Sequence, residues 1–275
     1  MINWLHTFHP QPILFSYGPI SIHWYGLFMV LGILSALGIS LKLAKYYKIT
    51  ADTLFDLTFW LIIIGLIGAR IYDDLLQLPY YIKNPWDSFK IWQGGLAIHG
   101  AIIAGLITIY FFAKKRKISL WAFTSLLVPG LALAQAIGRW GNYFNQEIFG
   151  LPTNKPWGIP IDLLNRPVDY LSYIFFQPTF LFESAGCFLI FLILGGINLF
   201  LIKKKKLTDY YFIWVTALYM ILYSILRFSL EFIRTDYAPV FLGLRWPQVI
   251  SLITILISII LLIFNSHAKH KRAKS

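Results

Sequence analysis

WYGLFMVLGILSALGISL, Trp24 to Leu41, runs for eighteen residues without a charge. A helix needs about 20 mostly apolar residues to cross a hydrocarbon core, so this stretch puts the chain in a bilayer. Similar runs recur between clusters of basic residues, and they predict seven spans at roughly 18–41, 54–73, 95–113, 119–137, 179–202, 208–230 and 247–264. Hydrophobic residues make up 58% of the 275, and mean hydropathy is +0.66. Soluble globular chains do not have this composition. The expected fold is all-α: a polytopic membrane protein forming a single integral-membrane domain over residues 1–275.

A formal net charge of +12 suggests nucleic acid as a partner, but the placement of the charge argues against one. Lys42, Lys45 and Lys48 follow the first apolar run, and Lys114, Lys115, Arg116 and Lys117 follow the third. Lys203 to Lys206 follow the fifth, and Lys269, Lys271, Arg272 and Lys274 form the tail. Clusters alternating with loops poor in basic residues are the pattern of the positive-inside rule. With every cluster in the cytoplasm, the N-terminus is outside and the C-terminus inside, as an odd number of spans requires. The outer loops are then 74–94, 138–178 and 231–246. The longest, with Pro152, Pro156, Pro160, Pro167 and Pro178, is expected to be an ordered extracytoplasmic arm rather than another span. Met1 to Ser16 has no basic n-region, so no cleaved signal peptide is expected. The single cysteine, Cys187, rules out an internal disulfide framework.

Ionisable groups within a span are expensive and need a partner or a task. In this topology they gather at the outer helix ends: Tyr25 in span one, Arg70 in two, His99 in three, Arg139 in four, Glu183 in five, and Arg227, Glu231 and Arg234 closing six. Each has a bland alternative. Arg70 or Arg234 could snorkel to the headgroups, Tyr25 beside Trp24 could belong to an aromatic belt, and Glu231 could simply neutralise an arginine. The block GRWGNYFNQEIFG, Gly138 to Gly150, resists such readings, because snorkelling explains one arginine but not Asn142, Asn145, Gln146 and Glu147 crowded behind it. A continued helix would put Arg139, Asn142 and Gln146 on one face, with Gly138, Gly141 and Gly150 allowing close approach of a helix or ligand.

Several arginines at headgroup depth suit a phosphate, whose oxygens match the guanidinium fork. A lipid phosphate lies there by default. The six histidines are scattered without metal-ligand spacing, and no nucleotide-binding glycine motif is present, so neither metal nor cofactor is expected. Cys187 lies among Phe and Leu, which favours packing over nucleophilic chemistry.

The block is similar to the signature G-R-x-G-N-[FY]-x-N-x-E-x-[FW]-G of the prolipoprotein diacylglyceryl transferase family. HWYG at 23–26, GGLAIHG at 94–100, LRFSLEFIR at 226–234 and PQVIS at 247–251 extend the resemblance over nearly all spans. It departs at QPTFLFE, 177–183, where the family usually has an HP[ST]QLYE-like stretch, and at Ala101, where a second Gly often stands. The resemblance implies a bacterial inner-membrane transferase. It moves the diacylglyceryl group of phosphatidylglycerol to the lipobox cysteine of a prolipoprotein signal peptide, forming a thioether and releasing glycerol phosphate. It further implies that Arg139 and Arg227 clamp the departing phosphate, while His99 serves as base for the thiol and Tyr25 as positioner or second candidate base. Asn142, Glu147 and Gly150 would shape the substrate pocket, with Glu231 holding Arg227 and Arg234 completing the binding set. A lipid transporter or flippase is the rival class. It would favour midplane sites and repeated halves, neither of which is present. A seven-helix photoreceptor would need a lysine in span seven, and PQVISLITILISIILLIF has none.

Overall fold

The structure, a computed structural model, describes residues 2–18 and 20–274. Its seven helices long and apolar enough to cross a membrane are α2 (Trp24–Tyr47), α3 (Ala51–Leu76), α5 (Ile98–Arg116), α6 (Leu120–Phe144), α7 (Thr179–Lys203), α8 (Asp209–Leu230) and α9 (Trp246–Lys274, spanning to Lys269). Among the described residues, two short α-helices, α1 (Ile2–Thr7) and α4 (Leu78–Lys83), four 3-10 turns (Pro85–Phe89, Ile91–Gln93, Leu163–Asn165 and Val168–Tyr170) and three two-stranded pairs make up the rest of the regular structure. Large side chains such as Leu34, Ile67, Leu106, Leu189 and Leu256 stand more than half exposed along the spans. In water they would form a patch far larger than a monomer tolerates; in lipid they are the outer face of an all-α polytopic protein.

The chain divides into two compact units, Ser40–Leu126 and Met1–Ile39 with Leu127–Ser275. In the first, α3 packs along α5. A Cβ on Gly100 would lie 2.1 Å from the Gly68 carbonyl oxygen, so these helices touch backbone to backbone, the contact that small residues permit in membranes. Thr50 caps α3 by accepting from the Thr53 N–H at 3.3 Å. Arg70, 7% exposed, holds the loop that follows α4 (residues 84–95). It donates to the carbonyls of Ser88 (2.8 Å), Gly94 (2.8 Å), Gly95 (3.0 Å) and Asp87, and pairs with Asp74 at 3.2 Å. A backbone clip, rather than a snorkelling cation, is what Arg70 provides.

In the larger unit, Val128, Ala132, Ile190, Leu194 and Val215 knit α6, α7 and α8 into one core. A second core, Leu5, Tyr143, Phe149, Ile159, Ile161, Phe176 and Phe180, ties the N-terminus and the 145–178 segment to the ends of α6 and α7. That segment contains β3 (Ile159–Pro160) paired with β4 (Phe175–Phe176) and no spanning helix.

Three boundaries differ from the sequence expectation. Span one begins at Trp24, not near 18, because β1 (Ile13–Tyr17) and β2 (Ile20–His23) form a hairpin in which Phe15 pairs with Ile22 and Ser16 with Ser21. Its turn uses Gly18 at φ +58°, where glycine bears no Cβ penalty. Span four continues to Phe144: Gly138 and Gly141 lower helix propensity without breaking the hydrogen-bond ladder. Span seven runs beyond 264 into the basic tail, where the side chains of Lys271, Arg272 and Lys274 lie outside the described residues.

Candidate functional site

The extension of α6 determines how the polar block is presented. Arg139 stays helical and reaches α7, where its Nη2 lies 2.7 Å from Glu183 Oε1. Glu183 is 1% exposed, so an unpaired charge there would be prohibitive. Tyr223 of α8 donates to the same oxygen at 3.3 Å. On its other side, Arg139 Nη1 donates to Asn142 Oδ1 at 3.2 Å, and Asn142 Nδ2 donates to Glu147 Oε1 at 2.7 Å. Glu147, Asn142, Arg139 and Glu183 thus form one continuous polar line through three of the predicted site residues.

A second cluster closes α8. Glu231, 1% exposed, lies 2.6 Å from Arg227 Nη1, 3.2 Å from Arg245 Nε and 3.8 Å from Arg234 Nε. Both of its carboxylate oxygens lack an aligned hydrogen bond, so charge rather than directed bonding holds it. Arg234 grips Asp236 through Nε at 2.7 Å and Nη2 at 2.9 Å, and its Nη1 stands 4.0 Å from Glu183, joining the two clusters. Arg245 donates to the carbonyls of Glu231 (3.1 Å), Arg234 (2.8 Å) and Asp236. Burial alone would push the Asp236 carboxyl up, but the Arg234 hydrogen bonds and the fields of Arg234, Arg245 and Arg227 hold it below the usual carboxylate range.

Four guanidinium groups therefore share the network with four carboxylates, Glu183, Glu231 and Asp236 in direct ion pairs and Glu147 through the Asn142 amide, so the formal charges balance. The four guanidinium groups are not equally free. Arg234 is 6% exposed and engaged with acids, and Arg245, though 20% exposed, has its nitrogens taken by Glu231 and by three backbone carbonyls. Arg139 and Arg227 keep 21% and 17% of their side chains exposed, and the Arg227 guanidinium makes no aligned hydrogen bond among the described residues, its Nη1 being buried without one.

The signature loop is held by strained and crowded backbone. Gln146 and Ile148 have φ of +51° and +55°, costly for a side-chain-bearing residue and most of all for a β-branched one. Gly150 donates its N–H to Gln177 O at 2.9 Å, Leu151 donates to Ile233 O at 2.7 Å, and Thr179 Oγ1 donates to Ile148 O. A Cβ on Gly150 would stand 2.9 Å from the side chains of Gln177 and Thr179 and 3.0 Å from Ile233 O, so only glycine fits. The QPTFLFE stretch is thus the wall against which the loop is zipped, and Phe180 stacks on Tyr143 at 4.5 Å.

The structure brings Tyr25, Arg139, Asn142, Glu147, Gly150, Arg227, Glu231 and Arg234 into one unit. Tyr25 opens α2 with its ring against Gly141, where a Cβ would be 2.9 Å from Cδ2, and its phenol feels the charges of Glu147 and Arg139. His99 belongs to the Ser40–Leu126 unit, exposed in the first turn of α5 with its ring 5.9 Å from Tyr72. Gln146 leaves the expected shared face because the helix ends at Phe144. Its amide donates to Pro10 O (2.9 Å) and Asp162 Oδ2 (2.7 Å), pinning the 145–178 segment. A Cβ on Gly138 would meet nothing within 4 Å, so close approach explains Gly141 and Gly150 but not Gly138.

Sequence reasoning missed Arg245, Asp236 and Tyr223. Tyr223 was detectable one turn before Arg227; Arg245 and Asp236 sit in a loop whose folding back no periodicity reveals. Cys187 is fully buried. Among the described residues, no three His, Cys, Asp or Glu side chains gather as a metal site would require.

A family model described as prolipoprotein diacylglyceryl transferase matches residues 12–264. The phosphatidylglycerol–prolipoprotein diacylglyceryl transferase of Nostoc sp. is 43% identical over 250 residues, covering 88% of this chain and 85% of the relative. The protein of the same name from Synechococcus elongatus is 39% identical over 256 residues (93% and 87%). That of Finegoldia magna is 40% identical over 250 residues (90% and 93%).

Proposed function

The chain belongs to the prolipoprotein diacylglyceryl transferase family and is a multi-pass membrane transferase with phosphatidylglycerol and a prolipoprotein as substrates, and we propose how its residues divide that work. Arg139 and Arg227 clamp the lipid phosphate. The lipobox cysteine sulfur attacks the glyceryl carbon that bears the phosphate ester. The carbon–oxygen bond breaks, its electron pair leaves with glycerol phosphate, and a thioether remains. The two guanidinium groups stabilise charge growing on the departing oxygen. Forming thiolate from a thiol of pKa near 8.5 at neutral pH costs roughly 2 kcal/mol, so a positioned base suffices. His99 takes the thiol proton and Tyr25 orients the reacting groups. Asn142 and Glu147 steer Arg139, Gly150 holds the loop, and Glu231 with Arg234 sets Arg227.

The observation that carries this reading is the pair of partly exposed arginines, Arg139 and Arg227, whose guanidinium groups are not held by backbone carbonyls among the described residues. The basic clusters support an outside N-terminus and cytoplasmic C-terminus in a bacterial inner membrane, with residues 138–178 as the extracytoplasmic arm of a single membrane domain. Both substrates are amphiphiles, so access is lateral, between helices. The test is reconstitution with phosphatidylglycerol and a lipobox peptide. The peptide is expected to gain the mass of one diacylglyceryl unit with release of glycerol phosphate; lipid movement without the adduct would point to a transporter.

A further inference from the structure

One turn from Arg139 along α6 lies Gln135, an amide inside a spanning helix. Its Oε1 accepts the Tyr219 hydroxyl of α8 at 3.0 Å. Tyr219, Tyr223 and Arg227 share one face of α8 at four-residue spacing, with the two tyrosine rings stacked at 6.1 Å. Gln135 therefore faces the same side as Arg139, about 6 Å nearer the helix middle. The Tyr219 bond uses only one end of the amide. The Nε2 group, on a half-buried side chain, has no partner among the described residues. Whichever way the amide is turned, one polar end stays free, because Tyr219 can satisfy only one.

A free amide in a region without water is unfavourable unless something at that depth accepts from it. A glycerophospholipid whose phosphate lies at Arg139 and Arg227 carries its ester carbonyls a few bonds to the chain side. We propose that Gln135 donates its amide N–H to an ester carbonyl of the bound lipid and makes the site selective for ester-linked diacylglyceryl donors. The inference rests on the transfer reading above. Holding the ester next to the attacked carbon would also align the breaking carbon–oxygen bond with the incoming sulfur, an orientation effect rather than a chemical one.

The experiment compares kcat/KM for phosphatidylglycerol and its diether analogue, which lacks the carbonyls, in wild type, Gln135→Leu and Tyr219→Phe. Wild type is expected to favour the ester lipid by about fivefold, the scale of one intramembrane hydrogen bond. Gln135→Leu is expected to bring that ratio to about one by losing rate on the ester lipid alone, while Tyr219→Phe keeps it. Because the ratio is taken within each protein, losses of folded material cancel. Equal use of both lipids by wild type would overturn the proposal without any variant, as would a Gln135→Leu loss that falls alike on both. The transfer reading fails separately, if neither lipid yields thioether, and this proposal then falls with it.

Discussion

Arg139 and Arg227 differ from the other cations of the network in what they leave unengaged. Replacing either by Ala is expected to lower kcat by about a hundredfold or more, the scale of losing one preorganised donor to a developing oxyanion. Lys should rescue poorly, since an ammonium cannot offer the paired geometry of the fork. Single-turnover assays with the lipobox peptide would check both, and wild-type rates in either Ala variant would remove the clamp from the scheme. Asp236 allows a test by pH. Its folded-state pKa is depressed, so its contribution to stability is present above the ordinary carboxylate pKa of about 3.9 and fades as pH falls through the lower folded value. Asp236→Asn should therefore melt below wild type near neutrality, with the gap narrowing as the pH is taken towards about 3. A gap independent of pH would mean that the carboxylate charge contributes nothing. Neither Arg245 nor Asp236 stands in a recognisable motif, whereas Arg139 and Asn142 were legible at once because amides clustered behind an arginine have no other use in a membrane helix.

At the scale of elements, the signature loop depends on two backbone seams, to Gln177 and Ile233, that close around Gly150. Gly150→Ala drives a methyl group towards a carbonyl and two side chains, and is expected to lower thermal stability by roughly 1–3 kcal/mol, as overpacking does. Gly138→Ala is the contrasting case. It lies within α6 with open space around its Cβ position, so stability should hold or rise by up to about 1 kcal/mol from the gain in helix propensity. Melting curves in detergent decide this, and the same sign for both would show that the close approach at Gly150 is immaterial. The expected start of span one near 18 takes in the turn and second strand of the hairpin for a physical reason. Ile20 and Ile22 of β2 continue the apolar run of α2 towards the N-terminus, and hydropathy does not register the pairing with β1 that makes them a strand.

Across the whole molecule, the distribution of lysine and arginine carries a topology that labelling can test. Cys187 is fully buried, so the native protein should resist membrane-impermeant thiol reagents. Leu164, 98% exposed in the 145–178 segment, replaced by Cys should react in intact cells. Cys in place of Lys205, between α7 and α8, should react only after permeabilisation. Labelling of the 205 position from outside would invert the orientation and place the arginine network in the opposite leaflet.

The bilayer as solvent, the seven spans and the position of the polar block followed from the sequence alone. Length, hydropathy and charge alternation are local properties, and lipid imposes them on any segment that crosses it. Which arginine is engaged by a carbonyl and which stays free for a ligand did not follow. That depends on Glu183, Glu231, Tyr223 and Arg245, drawn from α7, α8 and the β5–β6 hairpin (Val240–Phe241, Leu244–Arg245), meeting within a few ångströms of Arg139 and Arg227. Long-range pairing of buried charges has no periodic signature in the chain, so only the tertiary structure decides it.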